Sequence, residues 1–465
     1  MFKKYVGDKQ FYKRVLSLML PIMIQNGITN FVSMLDNVMV GRVGTVEMTG
    51  VAVANQLMFV FNLCIFGAVS GAGIFGAQFY GDNDREGVRD TFRFKVVFCI
   101  LLTVLCIGVF AAFGEPLINL YLQGEGSPVD AEASLQSGKE YIGVMLIGLL
   151  PYTLVQCYSS TLRETGETLL PMYAGVAAVG VNLCLNYVLI FGHFGAPAMG
   201  VTGAAIATVV SRFAELLIIA LRTWQKRDRF TFITDAFRSL RVPARLVRQI
   251  MIQGLPLMIN EALWAAGIAV LNQNYSYLGL DVVPSINILQ TFSNVFSVAF
   301  MAVGASIGII LGQMLGSGET DEAQDTSRKL IAFSLFVSVA VSVAFFAAAP
   351  FIPEIYNTTS AVRETATRLM QICALTMPLD AFANASYFTL RSGGKVLVTF
   401  LFDSCFVLCV SVPAAFLLSH FTSLNILAVY AICQCLNFIK CVVGYCLVKK
   451  GIWIQNIVGE KEESV

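Results

Sequence analysis

Residues 20–24 read Leu-Pro-Ile-Met-Ile, and residues 255–259 read Leu-Pro-Leu-Met-Ile, so one apolar segment recurs 235 positions further along the chain. The same offset carries Gln78-x-x-Gly81 onto Gln313-x-x-Gly316 without a gap. A third match, Thr-Leu-Arg at residues 161–163 and again at 389–391, follows at an offset of 228. The chain is therefore predicted to hold two copies of one unit of about 230 residues, far longer than a solenoid repeat.

The composition is that of a membrane protein. The 465 residues are 56% hydrophobic and only 13% charged, whereas about a quarter of the residues of a soluble domain are charged. The net charge of +1 predicts no nucleic-acid partner. The basic N-terminus leads into an apolar stretch too long for a cleavable signal peptide. The twelve cysteines lie mostly within apolar stretches without CxxC spacing, which favours packing over metal binding or disulfides.

Twelve stretches are long and apolar enough to cross a membrane, which takes about 20 residues. They lie at residues 14–40, 51–80, 94–114, 140–163, 168–192, 199–222, 248–278, 283–315, 330–350, 366–391, 397–419 and 424–448. The predicted fold is an all-α polytopic membrane protein, with twelve transmembrane helices in two six-helix bundles. Long internal repeats of this kind are common in secondary transporters.

The basic residues predict the orientation of the chain in the membrane. A cytoplasmic N-terminus places the eight Lys and Arg residues of 222–248 inside, together with most other basic residues. The outer side then receives only Arg42, Lys139, Arg363 and Arg368. Because Lys and Arg concentrate in cytoplasmic loops, both termini are predicted to be cytoplasmic. Six spans in each half make the halves like-oriented, related by a pseudo-twofold axis along the membrane normal.

The predicted organisation is an N-terminal lobe of residues 1–223, a cytoplasmic basic linker of 224–247 and a C-terminal lobe of 248–465. The linker is expected to lie against the anionic inner leaflet of the cell membrane. The acidic segment 115–139 is predicted to be the only sizeable external loop. The lipid bilayer is the one macromolecular partner expected, and the protein is expected to be a monomer.

Three acids fall at membrane depth, where a charged group is costly and normally faces a cavity or a partner. Asp36 lies in the first predicted helix, Glu261 in the seventh and Asp380 in the tenth. Each is a candidate cation ligand, and the alternative is a buried carboxylate that serves helix packing. The repeat places Leu271 opposite Asp36 and Asn26 opposite Glu261, so the scaffold is duplicated but these acids are not.

Two charged pairs are candidate structural ion pairs. Arg212 and Glu215 are three residues apart on the sixth predicted helix, a spacing that lets them pair. Asp403 and Lys440, on the eleventh and twelfth predicted helices, are able to pair between helices. The sequence leaves open whether this second pair is structural or functional.

Asparagine and proline residues add two further features. Asn182 and Asn186 are one turn apart, so their carbonyl oxygens could ligate a hard cation such as sodium. Hydrogen bonding between helices is the alternative. Pro21 and Pro256 lie inside their predicted helices and are expected to bend them.

The motifs that are missing narrow the function. The sequence has no phosphate-binding loop of the type G-x-x-x-x-G-K-[ST], which argues against ATP as the direct energy source. It has neither the HExxH motif of an embedded protease nor the paired Asp-rich motifs of a prenyl transferase. We therefore expect neither an enzymatic activity nor a cofactor. A channel would usually need symmetric subunits or a carbonyl filter. A secondary transporter fits best.

The chain resembles the multidrug and toxic compound extrusion (MATE) transporters over nearly its whole length. The motifs that carry the resemblance are Leu-Asp36-Asn-Val-Met-Val-Gly41, Gly71-Ala-Gly73 with Gln78-x-x-Gly81, Leu162-Arg163-x-x-Gly166, Gly203-Ala-Ala-Ile-Ala-Thr208 and Pro378-Leu-Asp380-Ala. The resemblance implies two six-helix lobes around a central cavity, and efflux of organic cations or other amphipathic compounds by alternating access. The implied driving force is the inward movement of sodium ions or protons.

The resemblance also implies roles for individual residues. Asp36 matches the family's first-helix acid, and Asn182 and Thr208 match other members of its N-lobe cation site. Asn186 stands where many DinF-type members have an aspartate, which removes one charge from that site. Glu261 and Asp380 match the C-lobe acids of NorM-type members. The chain therefore has features of both sites, and the sequence leaves open which one couples.

Two alternatives to an antiporter are a lipid flippase of the wider superfamily, which moves lipid-linked oligosaccharide, and a non-transporting scaffold. Flippase cavities tend to be strongly cationic, because they hold pyrophosphate. The candidate cavity residues in this sequence are acidic, which favours cationic cargo. Acids at membrane depth also argue against a scaffold.

Overall fold

The computed structural model describes residues 5–41, 44–122, 128–279, 281–356 and 358–459. Lys3, Lys4, Arg42 and Lys461, which enter the prediction of orientation, lie outside these residues. Within the described residues the chain is helical, with no β-strand. The first repeat contains six long helices: α1 (Lys9–Gly41), α2 (Thr45–Gly81), α3 (Arg85–Leu122), α4 (Pro128–Glu164), α5 (Leu169–Phe191) and α6 (Gly200–Gln225).

The second repeat contains six long helical segments in the same order. They are α7 (Ala244–Ser276), α8 (Val282–Gly316), α9 (Thr320–Ala348), α10 (Ser360–Ser392), α11 (Val396–Phe421) and α12 (Ile426–Lys449). Helix α11 includes two π-helical segments, Leu401–Cys405 and Val407–Ser411. Each of the twelve predicted spans overlaps one of these helices, so the all-helical membrane fold is confirmed.

Eleven of the described helices are long and apolar enough to cross a membrane, judged by length and composition. The exception is α10, which is as long as its neighbours but more polar. Its charged residues are Arg363, Glu364, Arg368, Asp380 and Arg391. Charged residues at membrane depth need a partner or a polar cavity, so α10 is a candidate to contain functional residues.

The prediction that residues 115–139 form a loop is wrong. Helix α3 continues through Pro116 to Leu122, and α4 already begins at Pro128, so most of this segment is helical. The extended ends are tied together by an exposed ion pair of 2.6 Å between Lys139 and Glu115. Polarity excludes this segment from the membrane interior, but it does not end a helix, and proline is favoured at a first helical position.

The basic segment between α6 and α7 folds onto the start of α3. Phe232 is buried, and its ring lies 5.1 Å from that of Phe92. Arg93 donates hydrogen bonds to the backbone oxygens of Asp235 and Ala236, at 2.7 and 2.9 Å. The segment is therefore held by an aromatic and hydrogen-bonded anchor, although it contains only one short 3-10 turn, Thr231–Ile233.

The chain divides into two compact units. Unit 1 contains the chain up to Met23, Ala77–Asp84 and everything from Ile252 onward, and unit 2 contains Ile24–Gly76 and Arg85–Met251. The lobe boundaries predicted at residues 223 and 248 stay a prediction. In unit 1 the apolar core includes the buried side chains of Phe345, Leu369 and Met370. A second cluster contains Trp453, which has no exposed surface.

The duplicated Gln-x-x-Gly segments pack against each other within unit 1. A Cβ atom added at Gly81 would lie 1.9 Å from the backbone oxygen of Gln313, and one added at Gly316 would lie 1.9 Å from that of Gln78. The side chain of Gln78 also donates to the backbone oxygen of Ser392 at 3.0 Å. The glycines are therefore required for close approach of the backbone at equivalent positions of the two repeats.

Candidate functional site

In unit 2, the four residues that the resemblance assigns to an N-lobe site form one hydrogen-bonded chain. The Asn186 amide donates to Asp36 Oδ1 at 2.6 Å and to Asn182 Oδ1 at 3.1 Å. The Asn182 amide donates in turn to Thr208 Oγ1 at 3.3 Å. The 3.6-residue turn of α5 places the two asparagines on one face, between Asp36 of α1 and Thr208 of α6. Asn186 Oδ1 is buried and has no protein partner, so it remains available to ligate a cation.

Asp36 also has a cation within electrostatic range, Arg212 of α6. The Arg212 guanidinium lies 3.2 Å from Glu215 Oε2 and stacks over the ring of Tyr152 at 5.1 Å. The sequence predicts only the pair of Arg212 with Glu215. The spacing of residues along one helix cannot show that Arg212 also lies within electrostatic range of Asp36 in α1. The acid in α1 is therefore part of a mixed-charge group.

A second ion pair in unit 2 is more deeply buried. Lys95 of α3 has no exposed surface, and its ammonium lies 2.6 Å from both carboxylate oxygens of Glu164 in α4. It also donates to the hydroxyls of Ser160 and Thr161, at 3.1 and 3.2 Å. Both carboxylate oxygens and the ammonium are thus satisfied.

In the predicted orientation, Lys95 is one of the basic residues counted on the cytoplasmic side, and the structure buries it between helices. The signal available in the sequence is the repeat. The offset of 235 places Leu330 opposite Lys95, and the offset of 228 places Ser392 opposite Glu164. A lysine and a glutamate that both lack a charged counterpart in the other repeat are candidates for a pair.

In unit 1, Glu261 of α7 lies beside an aromatic and cationic group on α10. Its Oε1 accepts a hydrogen bond of 3.1 Å from the Tyr387 hydroxyl. The Arg391 guanidinium stacks over the rings of Tyr387 and Phe388, at 6.0 and 5.5 Å, and lies within electrostatic range of Glu261. Arg391 Nη1 is buried without a hydrogen-bond partner.

Asp380 lies in the same unit and has a different partner. Its Oδ1 accepts a hydrogen bond of 2.8 Å from the Asn437 amide of α12. One turn further along α12, the Lys440 ammonium lies 2.5 Å from Asp403 Oδ1 on α11. Lys440 is also within electrostatic range of Asp380, and Asp403 is within range of Glu261.

Glu261 and Asp380 are therefore linked through Asp403 and Lys440 in unit 1. We call Glu261, Asp380, Asp403, Arg391 and Lys440 the acid network. With every group ionised, three carboxylates and two cations leave this group with one negative charge in excess. The corresponding group in unit 2, Asp36 and Glu215 with Arg212 and Arg163, is balanced, since Arg163 lies within electrostatic range of Glu215.

Tyr387, Arg391 and Asn437 belong to this arrangement, but sequence reasoning did not select them as site residues. The repeat contained a usable signal for the cations. The offset of 228 that matches Arg163 with Arg391 in the sequence also matches Arg212 with Lys440. A basic residue thus recurs at two matched positions of both repeats, next to acids that do not recur.

Comparison with known proteins gives a consistent result. The family model described as MatE matches residues 21–188 and 256–417. The chain is 26% identical over 438 residues to a protein of Thermotoga maritima named probable multidrug resistance protein NorM, covering 92% of this chain and 91% of that protein. It is 24% identical over 419 residues to the probable multidrug resistance protein YoeA of Bacillus subtilis, covering 90% and 89%.

Solved structures share the fold. A multidrug resistance MATE family transporter of the MOP superfamily, in an outward-facing conformation, superimposes with a TM-score of 0.86. Its sequence is 18% identical, and the match covers 96% of this chain and 97% of that one. A MOP superfamily transporter from Pyrococcus furiosus superimposes with a TM-score of 0.82 at 18% identity, with the same coverage. At this level of identity the likeness concerns the fold alone.

Proposed function

The chain belongs to the MatE family, and on that premise we propose that it is a multidrug efflux transporter that exchanges organic cations or other amphipathic compounds for sodium ions or protons. The observation that carries this proposal is the acid network of unit 1. Three carboxylates at the depth of membrane helices meet only two cations, so the group attracts one further monovalent cation.

The partners of these acids support a cation that binds and leaves again. Asp380 is held by the neutral amide of Asn437, and Glu261 by the neutral hydroxyl of Tyr387. Neither acid has a direct ion pair among the described residues. A carboxylate oriented by neutral donors keeps its charge available to an incoming ion, whereas one locked in an ion pair does not.

The N-lobe group offers oxygen ligands but less charge. Asp36, Asn182, Asn186 and Thr208 supply carboxylate, carbonyl and hydroxyl oxygens, which suit a hard cation. Arg212 already compensates part of the negative charge there. We therefore propose that unit 1 supplies the main coupling site, and that Asp36 contributes to cation or cargo binding in unit 2.

In the proposed mechanism, alternating access lets the protein exchange a coupling ion for a cationic cargo across the membrane. A coupling ion and a cationic cargo that use the same carboxylates cannot both be bound to them, so entry of one favours release of the other. The flippase alternative requires cations free to hold pyrophosphate. Arg212 and Lys440 are each paired with a carboxylate, and the carboxylates of the acid network outnumber its cations even with Arg391 included, which favours cationic cargo.

A proteoliposome assay tests the proposal. The purified protein is reconstituted with internal tetraphenylphosphonium, and either an inward sodium gradient or an inward proton gradient is imposed. We expect one of the gradients to accelerate efflux, and the double variant Glu261→Gln/Asp380→Asn to lose this acceleration. The variant Arg368→Met, which removes an exposed charge of α10, is the matched control. Efflux that is insensitive to both gradients, or movement of a lipid-linked pyrophosphate instead, would contradict the proposal.

A further inference from the structure

Lys440 lies between two carboxylates on different helices. Its ammonium bonds Asp403 of α11, and Asn437, three residues earlier on α12, bonds Asp380 of α10. The thiol of Cys441 donates to the backbone oxygen of Leu379 at 3.3 Å, so α12 and α10 are in contact next to Lys440. One ammonium therefore has two acids in its neighbourhood, and in this conformation it bonds only one of them.

Asp403 lies on an unusual part of the helix. It belongs to the π-helical segment Leu401–Cys405, and π-helical turns within α-helices frequently mark functional sites. The next residue, Ser404, donates to the backbone oxygen of Asn260 at 2.6 Å, directly before Glu261 in the chain. The segment that contains Asp403 is thus anchored to α7 directly before Glu261, and Asp403 lies within electrostatic range of that acid.

We propose that Lys440 is a tethered cation that competes with the transported cation for Asp380. With a cation bound at Asp380, the ammonium pairs with Asp403. Without a bound cation it moves to Asp380 and fills the vacant position. This inference rests on the proposed coupling role of the acid network, and it identifies Lys440 as the residue that sets the affinity of the network for a cation.

The chemistry of lysine suits this role. Its ammonium is a compact charge with three donors on a flexible four-carbon stem, so it can exchange one carboxylate for another without backbone movement. The side chain is mostly buried, with 11% of its surface exposed, and its ammonium lies over the ring of Phe402. Water is therefore a poor competitor for the ammonium, and a carboxylate is its favoured partner.

The inference predicts effects of opposite sign on the two partners of one ion pair. Lys440→Met removes the competitor, so a cation should bind more tightly. Asp403→Asn removes the alternative partner, so Lys440 should stay on Asp380 and a cation should bind more weakly. The double variant should return towards the wild type, because competitor and alternative partner are both absent. A pair that only stabilises the fold would weaken binding in both single variants.

The test measures equilibrium binding of radioactive ²²Na⁺ to the purified full-length protein in lipid nanodiscs. Sodium serves as a probe of the site's charge, at an alkaline pH where protons compete least. We expect the half-saturating sodium concentration to fall at least tenfold in Lys440→Met and to rise at least tenfold in Asp403→Asn. Lys440→Arg, which keeps the charge, should stay within threefold of the wild type, as should the surface control Arg368→Met.

Two results would overturn the inference. Equal weakening in Lys440→Met and Asp403→Asn would make the pair purely structural, and absence of sodium binding in every variant would exclude a cation site in this network. Retained gradient-driven efflux in the liposome assay would then show that the proposed function survives. Loss of driven efflux in the wild type itself would instead remove the proposed function. Thermal unfolding of each variant in the same nanodiscs shows that it is folded.

Discussion

The two units use buried charge differently. In unit 2, Lys95 and Glu164 form a fully satisfied, buried ion pair, and Leu330 and Ser392 occupy the matching positions of the second repeat. In unit 1, the acid network keeps one negative charge in excess and holds two of its acids by neutral donors. We infer from this comparison that a buried charge stabilises the fold where it is completely paired, and that the incompletely paired acids are the ones that bind a transported ion in the proposed function.

The comparison is tested first by neutralising one acid in each unit. We expect Asp380→Asn to raise the half-saturating concentration of the driving ion at least about 100-fold, equivalent to about 2.7 kcal/mol. Asp36→Asn should have a smaller effect, about tenfold, because the charged group around Asp36 is balanced whereas the acid network has one negative charge in excess. The measurement is gradient-driven efflux of tetraphenylphosphonium from proteoliposomes. A larger loss in Asp36→Asn would move the main coupling site to unit 2.

The sequence was sufficient to predict the scaffold. Runs of apolar residues located the helices, and the duplicated Leu-Pro-x-Met-Ile segments located the repeat. The spacing of Asn182 and Asn186 placed them on one face of one helix, where they do bond to each other. Local patterns of this kind depend only on the geometry of a single helix, so they can be read without the fold.

The partners across helices could not be predicted in the same way. The bond between Tyr387 and Glu261 and the burial of Lys95 depend on how the helices are rotated and shifted against one another. Hydropathy reports how long a span is, but it does not report which residue of one helix faces a given residue of another. The loop wrongly predicted at 115–139 has a related cause, because a polar composition marks the edge of the membrane and leaves the helix end undetermined.

The buried pair of unit 2 is expected to affect folding stability instead of ion binding. Lys95→Met leaves the Glu164 carboxylate buried without its cation, so we expect the free energy of unfolding to fall by about 3–5 kcal/mol. Lys95→Met combined with Glu164→Gln should recover most of this loss, since no unpaired charge remains. The measurement is denaturant unfolding in detergent micelles.

Leu330 supplies the matched control for this prediction in the second repeat. It is fully buried in the unit 1 core, so Leu330→Met changes shape alone and should cost less than about 1.5 kcal/mol. Equal losses in Lys95→Met and Leu330→Met would mean that the ion pair contributes no more than packing. The contrast between the two repeats at this position would then disappear.

The smallest expected effect concerns the scaffold, where the repeats should behave alike. Gly81→Ala and Gly316→Ala each place a Cβ atom 1.9 Å from a backbone oxygen of the other Gln-x-x-Gly segment. Because backbone must shift to relieve either clash, we expect each variant to lose about 1–3 kcal/mol of unfolding free energy. Gly108→Ala, in α3 with no atom of a neighbouring side chain or element within 4 Å of the added Cβ, is the control and should be neutral or slightly stabilising.

Similar losses of stability at both glycines, together with unequal effects of Asp380→Asn and Asp36→Asn on ion coupling, would show that the scaffold is symmetric and the coupling site is not. A loss at only one of them would show that the two repeats differ in their packing as well as in their charges.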